Sequence, residues 1–182
     1  MSGARGYDAH VKDEAFAERC RRLRLVLSDV DGVLTDGRVW LLPGGEELKA
    51  FHIRDGLGIV MAQKAGLRIG LLSGRSSPAV EARARELGLS VVRQGVSDKA
   101  AALREVLAAE GLKGTEVAFM GDDVNDLGVM AEVALSAAPA DAPFEVRAQA
   151  FMITQAPGGQ GCFREFLEAI LRARGDWDRL LT

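Results

Sequence analysis

Cysteine is scarce in this chain. Cys20 and Cys162 are all that 182 residues hold, too few for a disulfide framework and without the spacing of a zinc site. Both are read as thiols in a reducing cytoplasm. Long apolar runs are missing, so no segment is expected to cross a bilayer. The stretch through Arg24 carries too much charge for a secretory signal. Nor is there a positive excess: 23 Lys and Arg against 26 Asp and Glu leave a formal charge of −3, which gives no basic field for nucleic acid. Repeats, low-complexity tracts and interdomain linkers are also absent. What remains is the length of a single domain, residues 1–182. At 48% hydrophobic with 21 glycines, the composition is that of a soluble α/β protein with many tight turns.

The chain is organised around Leu25-Val26-Leu27-Ser28-Asp29-Val30-Asp31-Gly32, an apolar run that reads as a buried strand ending in two carboxylates. Before it, residues 1–22 form an N-terminal extension, loose from Met1 to Ala9 and helical from Asp13 to Arg22. After it, Arg38 to Phe51 reads as a hairpin turning at Pro43-Gly44-Gly45. Helices are predicted over Leu57–Lys64, from the Ser77-Pro78 cap to Leu87, from Ser97-Asp98-Lys99 to Glu110, over Asp126–Glu132, and over Cys162–Arg172. Strands are predicted over Leu67–Leu72, Ser90–Arg93, Glu116–Met120, Val133–Ser136 and Phe151–Thr154. Residues 157–182 form a glycine-rich turn and a terminal helix. Such alternation makes a Rossmann-like parallel sheet with helices on both faces, plus a small hairpin flap. The inserts at Gly37–Asp55 and Ser73–Lys99 are too short for a separate cap domain.

In open sheets of this kind ligands bind beyond the carboxyl ends of the strands, where Asp29, Ser73 and Asp122 each end a predicted strand and Lys99 begins a helix. On an extended strand end residues i and i+2 point the same way, so Asp29 and Asp31 would repel unless a cation intervened. With Asp122, Asp123 and Asp126 nearby the charge grows. Carboxylates without His or Cys select a hard ion, and Mg²⁺ also takes a substrate phosphate. The expected metal ligands are Asp29, Asp31 and Asp122, with Asp123 and Asp126 acting through water or by orienting the loop. Phosphoryl transfer then assigns roles: Asp29 as nucleophile, Asp31 as proton donor and acceptor, Ser73 as donor to phosphoryl oxygens and Lys99 as their counter-charge. A lysine at a helix start is disfavoured by the dipole, which argues against a merely solvated role. Alone, Asp-x-Asp-Gly is equally a polar turn after a strand.

These residues resemble a known family. Asp-Val-Asp-Gly-Val-Leu-Thr-Asp-Gly from Asp29, Ser73-Gly74-Arg75, Lys99 and Gly121-Asp122-Asp123-Val124-Asn125-Asp126 are similar to the four motifs of haloacid dehalogenase superfamily phosphatases. The segment from Gly45 to Ile59, Gln94-Gly95, and Gly158-Gly159-Gln160-Gly161 with Arg164-Glu165 are closer to the cap-less 3-deoxy-D-manno-octulosonate 8-phosphate (KDO 8-phosphate) phosphatases. The resemblance runs from about Leu23 to Leu171. It implies a Mg²⁺-dependent cytoplasmic enzyme that releases KDO for lipopolysaccharide synthesis, as a homotetramer assembled through four hairpins whose neighbouring subunits help close each site. Gly128, where proline is common, and Ser73, where threonine is also used, are small departures.

Other residues are weighed singly. Ser73, Gly74, Arg75, Lys99 and Arg54 are the candidate substrate-binding set, the two arginines as bidentate partners of a sugar-acid carboxylate. His52 reads as a polar residue at a strand end, and Arg164 as a helix-start residue as readily as a ligand. The hairpin's first arm, Val39-Trp40-Leu41-Leu42, is apolar on both faces. That suits burial against other subunits, with Trp40 as packing; folding back onto its own domain is the alternative. The glycine tail near 158–161, or a neighbouring subunit, is the expected cover. Competing functions are a phosphatase for nine-carbon sialic-acid-type 9-phosphates, a non-catalytic tetramerisation module, and a signalling receiver domain. The last lacks an acid two residues beyond its acceptor, and here Asp31 is that acid.

Overall fold

The computed structural model describes residues 13–181, so the expected loose segment Met1–Ala9 lies outside the described residues. The first helix, α1 (Glu14–Arg22), is capped by Asp13, whose carboxylate accepts from Ala15 N–H at 2.9 Å. Then follow β1 (Leu25–Ser28), the hairpin β2 (Trp40–Leu41) and β3 (Glu47–Leu48), α2 (Ile53–Lys64), β4 (Arg68–Leu72), α3 (Pro78–Glu86) and β5 (Val91–Arg93). The second half runs α4 (Lys99–Glu110), β6 (Val117–Met120), α5 (Leu127–Glu132), β7 (Leu135–Ala138), α6 (Phe144–Gln149), β8 (Met152–Ile153) and α7 (Cys162–Ala173). No helix among the described residues is long and apolar enough to cross a membrane.

Six strands pair in parallel in the order β5-β4-β1-β6-β7-β8. β1 is central and buried at every position. Because side chains alternate across a strand, its Val26 joins one core with Phe16, Ile59, Phe163 and Phe166. Leu25 and Leu27 join the opposite core with Leu103, Val106 and Phe119. Each face is thus covered by helices, as a parallel sheet requires. The order reverses direction about β1 and β6, so the crevice beyond their carboxyl ends is where a ligand fits.

Several boundaries differ from the sequence expectation. α2 begins at Ile53 rather than Leu57 because His52 is its N-cap: the imidazole Nδ1 accepts from Arg54 N–H at 3.2 Å. His52 therefore starts a helix instead of ending a strand. β7 lies two residues later than expected, since Ala134 N–H is taken by the Gly114 and Val117 carbonyls at 2.9 and 3.0 Å, and the ladder to β6 begins at Leu135. Ser77 occupies the N-cap of α3, but its side chain makes no capping bond to the helix. The six-residue α6 was not foreseen. It follows Pro143 and is too short to display a helical period.

The hairpin stands away from the sheet. Trp40 pairs with Leu48 and Leu41 with Glu47, leaving Trp40 62%, Leu41 74% and Leu48 56% exposed. Its apolar side chains do not fold back onto their own domain.

Candidate active site

β1 stops at Ser28, and Asp29 N–H still bonds to the Met120 carbonyl of β6 at 2.9 Å. The chain then winds around one acceptor: the Val30 carbonyl takes N–H bonds from Val33, Leu34 and Thr35 at 3.3, 2.9 and 3.1 Å. That turn separates the two carboxylates expected to share a side. Asp29 points inward, with Oδ1 on Val30 N–H at 2.6 Å and Oδ2 on Lys99 Nζ at 2.6 Å. Asp31 turns toward Lys49 and Arg75, the latter with Nε 3.5 Å from Asp31 Oδ2. The i, i+2 rule holds for extended backbone, and here the backbone coils.

The third carboxylate is Asp126, fully buried. Its Oδ1 is 2.6 Å from Lys99 Nζ, and its Oδ2 accepts from Asp122 and Asp123 N–H at 3.0 and 3.3 Å. It thereby shapes the loop after β6 while bringing charge to the centre. Asp123 is exposed and caps Val124 N–H at 2.7 Å. Oxygens of Asp29, Asp122 and Asp126 lie within 4.8 Å of one another. Gly32 is fixed by this crowding: with φ at +88°, it sits where a Cβ would overlap the Asp122 carboxylate.

The electrostatics follow from burial. Desolvation, then Asp126, push Asp29 up to about 6 against the opposing pull of Lys99. Desolvation, then Asp29 and Asp126, push Asp122 up to about 8. For Lys99 burial acts downward, but the two carboxylates outweigh it and hold the ammonium above its ordinary value. One lysine offsets one of three clustered charges. The remainder is a set of hard oxygens with no imidazole or thiolate among them, which fits a divalent cation of the Mg²⁺ type. Asp126 belongs to this group by distance, whereas Asp31 lines the same cavity but pairs with Lys49 and Arg75.

A cavity of about 240 Å³ opens over these groups, lined by Asp29, Asp31, Ser73, Arg75, Asp122 and Asn125 among others. Ser73, at the end of β4, is buried, and its Oγ accepts from Arg75 N–H at 3.3 Å. Gly74 also lines the cavity. Lys99 is held beneath it by Asp29 and Asp126. Arg75 is engaged by Glu47 at 2.9 Å. Arg54, expected in the same crevice, instead lines a separate cavity of about 610 Å³ with Gln155, Gln160, Arg164 and Glu165. Arg164 lies over the Trp177 ring at 5.0 Å.

The glycine tail does not roof this crevice. Gly159 N–H donates to the Val33 carbonyl at 2.9 Å, and a Cβ at Gly158 would overlap the Gly32 carbonyl. The tail braces the turn that carries Asp29 and Asp31. Two residues of the site were missed from sequence. Asn125 was within a quoted motif but assigned no role. Lys49 sits in the hairpin, where only its alternation with Leu48 could have marked it as inward-facing.

A doubly covered parallel sheet with this acidic crevice at its carboxyl edge defines a haloacid dehalogenase-like hydrolase, and that family matches residues 52–134. The chain is similar to the 3-deoxy-D-manno-octulosonate 8-phosphate phosphatase KdsC of Yersinia pestis, 41% identical over 157 residues, which cover 86% of this chain and 84% of that protein. The KdsC of Haemophilus influenzae is 38% identical over 158 residues, covering 87% and 88%. The Moraxella catarrhalis phosphatase, crystallised with magnesium, phosphate and KDO, superposes with a TM-score of 0.88 at 34% identity, covering 91% of this chain and 95% of that one. The chain belongs to the 3-deoxy-D-manno-octulosonate 8-phosphate phosphatase family, and it is a phosphomonoester hydrolase.

Proposed function

We propose that the chain hydrolyses KDO 8-phosphate to KDO and inorganic phosphate through an aspartyl-phosphate at Asp29. The observation that carries the reading is the convergence, at one sheet edge, of Asp29, Lys99 and Asp126 in direct contact with Asp122 and Ser73 beside them. Mg²⁺ would be held by Asp29, Asp122 and Asp126, and when bound it supplies positive charge to the phosphoryl oxygens. The magnesium of the Moraxella catarrhalis structure supports that choice of ion.

The chain's own residues do the rest. Asp29 attacks phosphorus, so a bond from its carboxylate oxygen forms as the bond to the sugar oxygen breaks. Asp31, at the cavity mouth, gives its proton to the departing sugar oxygen. A water then attacks the phosphoryl group and passes its proton to Asp31, the Asp29–phosphorus bond breaks, and phosphate leaves. Ser73 donates to a phosphoryl oxygen and Lys99 balances its charge. Asn125 lies at the cavity wall, where its amide can orient the same group.

The exposed apolar arm of the hairpin supports assembly through that element, with a homotetramer as the proposed state. Among the described residues no cap domain stands above the open 240 Å³ crevice, so a neighbouring subunit would complete it. The test of function is turnover of KDO 8-phosphate, nine-carbon 9-phosphates and hexose phosphates with and without Mg²⁺. The expected result is a Mg²⁺-dependent preference for KDO 8-phosphate. A preference for the nine-carbon esters would move the substrate while leaving the chemistry intact.

A further inference from the structure

The second arm of the hairpin presents two different faces. Leu48 is 56% exposed, while its neighbours Glu47 and Lys49 point back at the crevice, as the period of two along a strand requires. Lys49 is the more unusual of the pair. Its side chain is 1% exposed and its ammonium forms an ion pair with Asp31 Oδ1. Burying a lysine costs several kcal/mol unless a carboxylate answers it, and Asp31 is the carboxylate that does so. Glu47 completes the link from the other side. It holds Arg75 at 2.9 Å, and Arg75 Nε faces Asp31 Oδ2 at 3.5 Å. That oxygen is buried and accepts no hydrogen bond, with Arg75 as its nearest charged neighbour, in a side chain that lines the cavity.

We infer that Lys49 is a positioning residue for Asp31: its ammonium donates to Oδ1 through the hairpin in both the carboxylate and the carboxylic acid form, so that the proton Asp31 exchanges with the sugar oxygen and with water is carried on the other oxygen. The inference rests on the phosphatase reading above and assigns the hairpin a part within its own subunit's site. Without Lys49 the Asp31 side chain keeps only the longer contacts to Thr35 Oγ1 at 3.4 Å and Arg75 Nε at 3.5 Å, and the proton reaches the leaving oxygen from a less firmly placed donor. Proton delivery matters when the leaving group is a sugar alkoxide. It matters little for 4-nitrophenolate, which departs as the anion.

The test compares kcat/KM, which reports the steps through departure of the alcohol, for KDO 8-phosphate and 4-nitrophenyl phosphate with Mg²⁺. Lys49→Met is expected to lower the value for the sugar phosphate about 100-fold, with the aryl phosphate much less affected. Lys49→Arg, which keeps the charge, is expected to restore most of the loss. In an Asp31→Asn background Lys49→Met is expected to add little, because the two act through one group. Equal losses on both substrates, or a full further loss on Asp31→Asn, would overturn the inference. If Lys49→Met does not fold, Lys49→Arg and Lys49→Gln carry the same comparison. A wild-type protein that hydrolyses the aryl ester but not KDO 8-phosphate would remove the substrate reading alone, and glucose 6-phosphate then serves as the alkyl ester.

Discussion

Lys99 Nζ lies 2.6 Å from Asp29 Oδ2 and 2.6 Å from Asp126 Oδ1, joining the first turn of α4 to the end of β1 and to the turn between β6 and α5. A helix-start lysine, unfavourable against the dipole, is thereby made the electrostatic centre of the crevice. Removing it as Lys99→Met leaves buried carboxylates without their counter-charge. The expected cost is about 3 kcal/mol in the metal-free protein, measured by urea unfolding, with a smaller cost when Mg²⁺ is present. Turnover should fall at least about 100-fold. Unchanged stability in the absence of metal would show that the ion pairs contribute nothing.

Asp29→Asn keeps the size of the side chain and removes the nucleophile. Turnover should drop at least about 10⁴-fold, with the circular dichroism spectrum unchanged and no acid-stable, hydroxylamine-sensitive phosphoenzyme. Substantial residual turnover would remove Asp29 from the nucleophilic role.

The raised carboxylates make a prediction about pH. Asp29 and Asp122 are pushed up to about 6 and about 8 in the folded metal-free protein, from an ordinary aspartate value of 3.8. Between that value and about 8 the native state therefore holds protons that the unfolded chain has released, and stability must fall as pH rises through this window. Asp122→Asn is expected to flatten the slope, especially between pH 6 and 8, and to make the metal-free protein more stable at pH 8. Added Mg²⁺ should raise the Tm of the wild type increasingly over the same range and shift the variant little. A wild-type Tm independent of Mg²⁺ at pH 8 would count against the metal site.

Asp55 provides a second test, away from the reaction. Gly161 at the N-cap of α7 has no side chain to cap with, and the Asp55 carboxylate from α2 substitutes by accepting Arg164 N–H at 2.6 Å. Burial pushes Asp55 up to about 6, against the lowering effect of that bond. Asp55→Ala should destabilise the fold by about 1–2 kcal/mol. Asp55→Asn keeps an acceptor and should lose less, while removing the part of the pH dependence that lies between about 4 and 6. Equal Tm losses for the two variants would refute the capping role.

The hairpin variant Trp40→Ser with Leu41→Ser strips exposed apolar surface and leaves Glu47 and Lys49 in place. Light scattering should show a tetrameric mass for the wild type, as proposed, and a smaller one for the variant. An identical mass would discredit the hairpin as the joining element.

The sequence determined a great deal here, because the pattern of buried strands, helix stops and strand-end carboxylates is local information. The run from Leu25 to Ser28 needs no partner to declare itself apolar, and the helix expected to end at Glu110 does so, with Gly111 after it in the left-handed conformation. Asp29, Ser73, Lys99 and Asp122 could be assigned to one edge because parallel topology sends every strand end the same way. Only the tertiary structure decided where the side chains turn. The coil around Val30 sends Asp31 to Lys49 rather than beside Asp29, and Asp126 joins the acidic centre because Lys99 reaches it from another element. Gly158 and Gly159 became a brace for that coil, and Arg54 went to a different cavity. Such placements depend on contacts between residues far apart in the chain, and no short window of sequence contains both partners.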